Sequence, residues 1–167
     1  MSIEHADLVT LVAEISATFV GFSLVVGLLQ PNEPTAARRR ESMRSVAELG
    51  LIAVGGAMLA LALDSFGMAS DTVWRIASLL VAILWIAFHL VASRRFKAAG
   101  SQIMKTGILW IPASLAFVGM GILLWNTILP DAHSGPRFIA SLILALTVSA
   151  FLFLLETFRD GGDTNDA

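Results

Sequence analysis

Two carboxylates, two hydroxyls and a glycine lie on one narrow line of the first apolar run: Asp7, Thr10, Glu14, Thr18 and Gly21. At helical periodicity they fall within an arc of roughly 80°. Leu11, Ile15, Phe19 and Phe22 flank that line. The run from Ala6 to Leu29 is long enough to cross a bilayer, which needs about 20 apolar residues. A charge at that depth is disfavoured by about 2.5–3.5 kcal/mol, so it normally faces protein or water and marks a functional site. Helix packing accounts for the threonines and the glycine, because small residues let membrane helices approach closely. It does not account for two carboxylates. A water-lined cation path or a proton relay needs them, with Asp7 at the mouth and Glu14 roughly 10 Å deeper.

Four further ionisable residues are candidates to support that stripe. Glu48 stands near the start of the second run, four residues after Arg44. That spacing makes a local ion pair on a helix the simplest reading. His89, near the end of the third run, is placed to meet Glu48 in a bundle, as a packing residue before a proton switch. Asp64 closes a small-residue face of the second run, Ala53, Gly56, Ala57 and Ala60. Arg75, across a short loop, is placed to neutralise Asp64. In the fourth run Pro112, Ala116, Gly119 and Asn126 share one side and Gly121 the other. In the fifth, Ser141, Ala145 and Ser149 align.

The chain excludes much other chemistry. It has 167 residues with no Cys and no Tyr. Disulfides, thiolate metal sites, cysteine nucleophiles and tyrosyl chemistry are therefore out. His5 and His133 flank the runs and His89 stands apart, so no facing pair is set to hold haem or a metal. Lys97 and Lys105 both lie in a loop, which removes an intramembrane Schiff base. No zinc motif, phosphate loop or nucleophile elbow is present. The expectation is a non-enzyme with no cofactor and no metal. A net charge of −2 gives no case for nucleic-acid binding.

The elements that would position the stripe are plain. The chain is 56% hydrophobic and 14% charged, against about 25% charged in soluble domains. Five segments, 6–29, 45–65, 72–92, 107–129 and 137–156, are long and apolar enough to span a membrane. They are continuous rather than alternating, so helices are expected and a barrel is not. The fold expected is an all-α bundle of five transmembrane helices over 1–157, followed by a short acidic disordered tail over 158–167. MSIEHAD carries no Lys or Arg, so the first run reads as a retained span and not a signal peptide.

Charge bias sets the orientation. Arg38, Arg39, Arg40 and Arg44 follow the first run; Arg94, Arg95, Lys97 and Lys105 follow the third; Arg159 lies in the tail. Of the 11 basic residues only Arg75 and Arg137 lie at the other ends. By the positive-inside rule the N-terminus is outside and the C-terminus inside. Trp110 and Trp125, 15 residues or about 22 Å apart on a helix, fit two interfacial anchors. Trp74 marks the outer end of the third span, and Trp85 packs deeper. The basic loop is read as a topology determinant, with anionic lipid binding as the lesser alternative.

These features lead to a multi-pass protein of a bacterial inner membrane whose partners are the bilayer, cations and further copies of itself. The leading functional expectation is a homo-oligomeric, cation-favouring channel in which Glu14 supplies a ring of charge. The alternative is a non-conducting accessory, sensory or scaffold module whose stripe serves helix packing.

Overall fold

The computed structural model describes residues 5–29, 36–98 and 110–159. The five apolar runs form five helices, α1 (Ala6–Leu28), α2 (Ala36–Ser65), α3 (Ser70–Ala98), α4 (Trp110–Ile128) and α5 (Ser134–Arg159). Each contains a stretch long and apolar enough to cross a membrane. In a chain this apolar, a helix is the economical solution because every segment satisfies its own backbone hydrogen bonds.

Two helices overrun the expected spans. α2 has 30 residues and α3 has 29, or about 45 and 43 Å of helix. The extra turns carry AARRRES on α2 and SRRFKA on α3. Ala, Arg, Lys and Glu are strong helix formers, so the helices continue where the apolar run stops. α5 likewise continues through Phe158 and Arg159. The expected tail from 160 onward, and the start of the fourth span at 107–109, lie outside the described residues.

Short connections make successive helices antiparallel where the chain is described. Gly67 turns α2 into α3 with φ of 73°, a left-handed conformation that glycine adopts freely. Its N–H donates to the Asp64 carbonyl at 2.8 Å. Between α4 and α5, the Asp131 N–H donates to Ser134 Oγ at 2.9 Å.

α2 packs on α1, α3 and α5, while α5 touches all four other helices. Among the described residues, α1 packs on α2 and α5, and α4 on α3 and α5. The first and fourth helices therefore occupy separate edges of the bundle.

The small-residue face of α2 is the axis of packing. Ala53, Ala57 and Ala60 are fully buried. A Cβ added at Gly56 would stand 2.5 Å from Val81 Cγ2 and 3.5 Å from Leu142 Cδ2, so α3 and α5 close on bare backbone there. Trp85, fully buried, fills the space that Gly119 leaves on α4, where a Cβ would meet its ring at 2.7 Å.

At the end where α1 begins, Asn126 joins three elements. Its Nδ2 donates to Ser78 Oγ at 3.0 Å and to the Ser134 carbonyl at 2.8 Å. The outward surface is apolar on every helix, with Leu8, Met58, Ile83, Phe117 and Ile143 all exposed. A soluble monomer rarely presents such continuous apolar surface.

Candidate functional site

α1 divides cleanly into two faces. Val9, Val12, Ala13, Ser16, Val20 and Ser23 are buried. They pack chiefly on α2, where Gly50 lets Val20 and the Ser16 carbonyl approach. Asp7, Thr10, Glu14, Thr18 and Gly21 are all exposed. The whole stripe thus points away from its own bundle, and a Cβ added at Gly21 would meet nothing within 4 Å. Stripe packing within one protomer is not how the chain folds. The reason lies in the competing face, where four β-branched or small apolar residues and two serines offer a closer fit to α2.

The polar groups of the stripe are not equally free. Thr10 Oγ1 donates to the Ala6 carbonyl at 3.0 Å, and Thr18 Oγ1 to the Glu14 carbonyl at 2.9 Å. Both hydroxyls are therefore satisfied by their own helix. The carboxylate of Glu14 is different: among the described residues no side chain pairs with it. It lies eight residues into α1, or about 12 Å along the helix.

Glu14 opens into a groove of about 500 Å³ lined by Leu11, Glu14, Ile15, Thr18, Phe19 and Phe22. One end of the groove is aromatic. Phe153 of α5 meets Phe19 edge-on at 6.2 Å between centroids and Phe22 at 5.6 Å. These contacts fix the rings while leaving Phe22 exposed. The result is a shallow apolar trough with one carboxylate in its wall.

The supporting residues do not gather around Glu14. Glu48 sits at the opposite end of the bundle in an ionic cluster. Arg44 Nε donates to its Oε1 at 2.9 Å, so the expected local pair forms. Arg95 of α3 adds a two-pronged grip, with Nη1 on Oε1 at 3.0 Å and Nη2 on Oε2. Arg95 Nε also stands 3.0 Å from Glu41 Oε1, an ion pair without hydrogen-bond alignment. His89 does not reach Glu48. It packs on Trp85 and Phe88, at 6.3 and 5.4 Å between ring centroids.

Asp64 and Arg75 form no ion pair with each other among the described residues, although one short turn separates their helices. The pair at this end is instead Asp131 with Arg137, whose Nη1 lies 2.9 Å from both carboxylate oxygens. Trp74 stands near the start of α3 and faces inward. It is buried against Phe138 at 5.6 Å between centroids. Trp125 is exposed, as expected of an anchor; the side chain of Trp110 lies outside the description.

Glu41 and Arg95 are structural polar residues that spacing did not single out. Glu41 and Glu48 are seven residues apart and share a helix face. An arginine at the same end of an antiparallel neighbour is the signal that pairs them. Comparison with known protein families, with curated proteins and with solved structures finds no match to this chain.

Proposed function

We propose that this is a multi-pass membrane protein that assembles from several copies and conducts ions, favouring cations, with Glu14 as the charge that selects them. The observation that carries this reading is the position of Glu14, unpaired on the outward face of an edge helix. A carboxylate at membrane depth facing only lipid is costly, by about 2.5–3.5 kcal/mol. Assembly around a wet axis removes that cost and brings one carboxylate per copy to a common ring. Rings of Asp or Glu are an established source of cation selectivity. Because α1 touches neither α3 nor α4, its stripe is available without rearranging the core.

The orientation follows from charge. Arg44, Arg94 and Arg95 stand at one end of the bundle, joined in sequence by Arg38, Arg39, Arg40, Lys97 and Lys105. That end is cytoplasmic in the proposal, the N-terminus is external, and the membrane is the bacterial cytoplasmic one. Asp7 then stands at the external mouth above Glu14.

A non-conducting accessory or scaffold module is the second reading. It is favoured by the self-satisfied hydroxyls of Thr10 and Thr18, which make the stripe a drier contact surface than its composition indicates.

Flux separates the two. Purified protein in liposomes should pass K⁺ down a gradient. Glu14→Gln should lower that flux or its cation preference about tenfold, the effect of removing roughly 1.4 kcal/mol of favourable interaction. Detergent-corrected mass should stay that of the wild-type oligomer. Equal flux and selectivity in the two proteins would remove Glu14 from the pathway, and no flux in the wild type would leave the module reading.

A further inference from the structure

The geometry points to the Glu14 groove as a binding site for a lipophilic organic cation, its charge at Glu14 and its apolar body along Phe19 and Phe22. The inference deepens the proposed function and rests on its reading of Glu14 as the group that selects cations.

Four observations converge on that ligand class. The groove is a shallow open trough of about 500 Å³ along the outer face of α1, which supplies all six residues lining it. Its wall is apolar except for Glu14 and Thr18, and the Thr18 hydroxyl is already committed to its own helix. A ligand therefore meets one fixed anionic group and no competing donor. A neutral ligand would leave that carboxylate unmatched, and an anion would be repelled by it and by Asp7 on the same stripe. Only a cation completes the site.

The aromatic end sets the rest of the ligand. Phe22 lies eight residues beyond Glu14 and Phe19 five, about 12 and 8 Å along the helix. Small hydrated cations cannot touch both ends. A cation carrying aryl or alkyl groups spans them, with its charge against the carboxylate and its body against rings whose faces attract positive charge. Phe153 braces both rings, so the aromatic end needs little ordering when a ligand arrives. Exposure of Leu11, Ile15 and Phe22 leaves the groove open to a ligand arriving from outside the protomer.

Tetraphenylphosphonium is the probe, since its charge does not titrate. Equilibrium dialysis against the full chain in nanodiscs should show saturable binding. Tetraphenylborate, of similar size and opposite charge, should show none. Glu14→Gln should weaken tetraphenylphosphonium binding about tenfold, through the lost attraction between opposite charges. Glu14→Asp should keep part of the affinity. Phe22→Ala should cost about two- to fivefold through the lost ring.

Absence of saturable binding to folded wild type would overturn the inference, as it would if a second copy covered the groove. Equal binding by Glu14→Gln, or by Phe22→Ala should Glu14→Gln not fold, would overturn it too. Potassium flux on the same preparations keeps the two proposals apart. Flux without probe binding removes the groove site and spares conduction. Probe binding without flux establishes the site and removes the channel.

Discussion

Glu14 and Glu48 are both carboxylates set in long apolar helices, yet the fold treats them in opposite ways. Glu48 is half-buried where α2 and α3 meet and is gripped by Arg44 and Arg95. Glu14 is on the open side of an edge helix with no counter-charge among the described residues. A carboxylate whose partner comes from its own bundle is part of the fold. One without such a partner places a demand on something outside the protomer, whether water, a cation or another copy. Ionisable type and apolar context are the same at both sites. What distinguishes them is which helix face they occupy and whether an arginine ends a neighbouring helix at the same depth.

The largest effect expected is at the satisfied site. Arg95→Met removes an ion-pair partner of Glu41 and leaves Glu48, among the described residues, with Arg44 alone. Breaking a fully buried pair costs about 3–5 kcal/mol. Arg95 and Glu48 keep 20% and 31% of their side chains exposed, so about 2 kcal/mol is the expected loss here. Melting in detergent should register it clearly. The double change Arg95→Met with Glu48→Met should recover much of the loss, because an apolar pair of similar size leaves no unmatched charge. Glu14→Gln should move the melting point little, as surface changes usually stay within about 0.5 kcal/mol. A melting loss for Glu14→Gln as large as that for Arg95→Met would erase the contrast and make Glu14 a structural residue.

The same inward–outward distinction can be read from two adjacent glycines. Gly56→Ala drives a methyl to within 2.5 Å of Val81 Cγ2. Overpacking of this kind costs about 1–3 kcal/mol. Gly55→Ala meets nothing within 4 Å and should be neutral or gain up to about 1 kcal/mol from helix propensity. Melting curves for the two single variants sharpen the comparison. Equal losses at both positions would mean that the open side of α2 is covered in the assembled protein.

Much of this architecture is legible in the residues. The apolar runs place all five helices, and Ala53, Gly56, Ala57 and Ala60 read correctly as a close-packing face. Pro112, Ala116, Gly119 and Asn126 are all buried, and Gly121 is exposed, as their alignment implies. The ends of α2 and α3 were less legible, because hydropathy marks where a membrane span stops and says nothing of a helix that continues in polar surroundings. The orientation of the α1 stripe was not legible either. Periodicity shows that five residues share a line, but which line faces the bundle depends on how well the opposite face fits α2. Long-range pairs were the remaining gap: Glu48 with Arg95 is a contact 47 residues apart, and Asn126 with Ser78 is 48 apart. Such pairs require relative depth and rotation of two helices, which no local pattern carries.

Asp131 offers the smallest test, and it extends the comparison to a carboxylate outside the spans. The backbone N–H of His133 donates to it, and Arg137 grips it from the first turn of α5. Together, and in that order, these hold its carboxyl below the ordinary value of 3.8. A group whose folded pKa is lowered contributes stability above its unfolded pKa and loses it as pH falls through the folded one. Wild-type melting should therefore be insensitive to Asp131 ionisation above about pH 5 and should decline as the pH drops below about 4. Asp131→Asn keeps the shape and one acceptor oxygen but cannot titrate. Its melting point should sit slightly below wild type near neutrality and show a shallower decline in acid, so the two curves converge. The exposure of the site keeps the gap small, since water screens both charges. Parallel curves down to acid pH would mean that the Asp131–Arg137 contact contributes nothing measurable to holding the α4–α5 turn. The Asn126 hydrogen bonds to Ser78 and Ser134 would then be what anchors that end of the bundle.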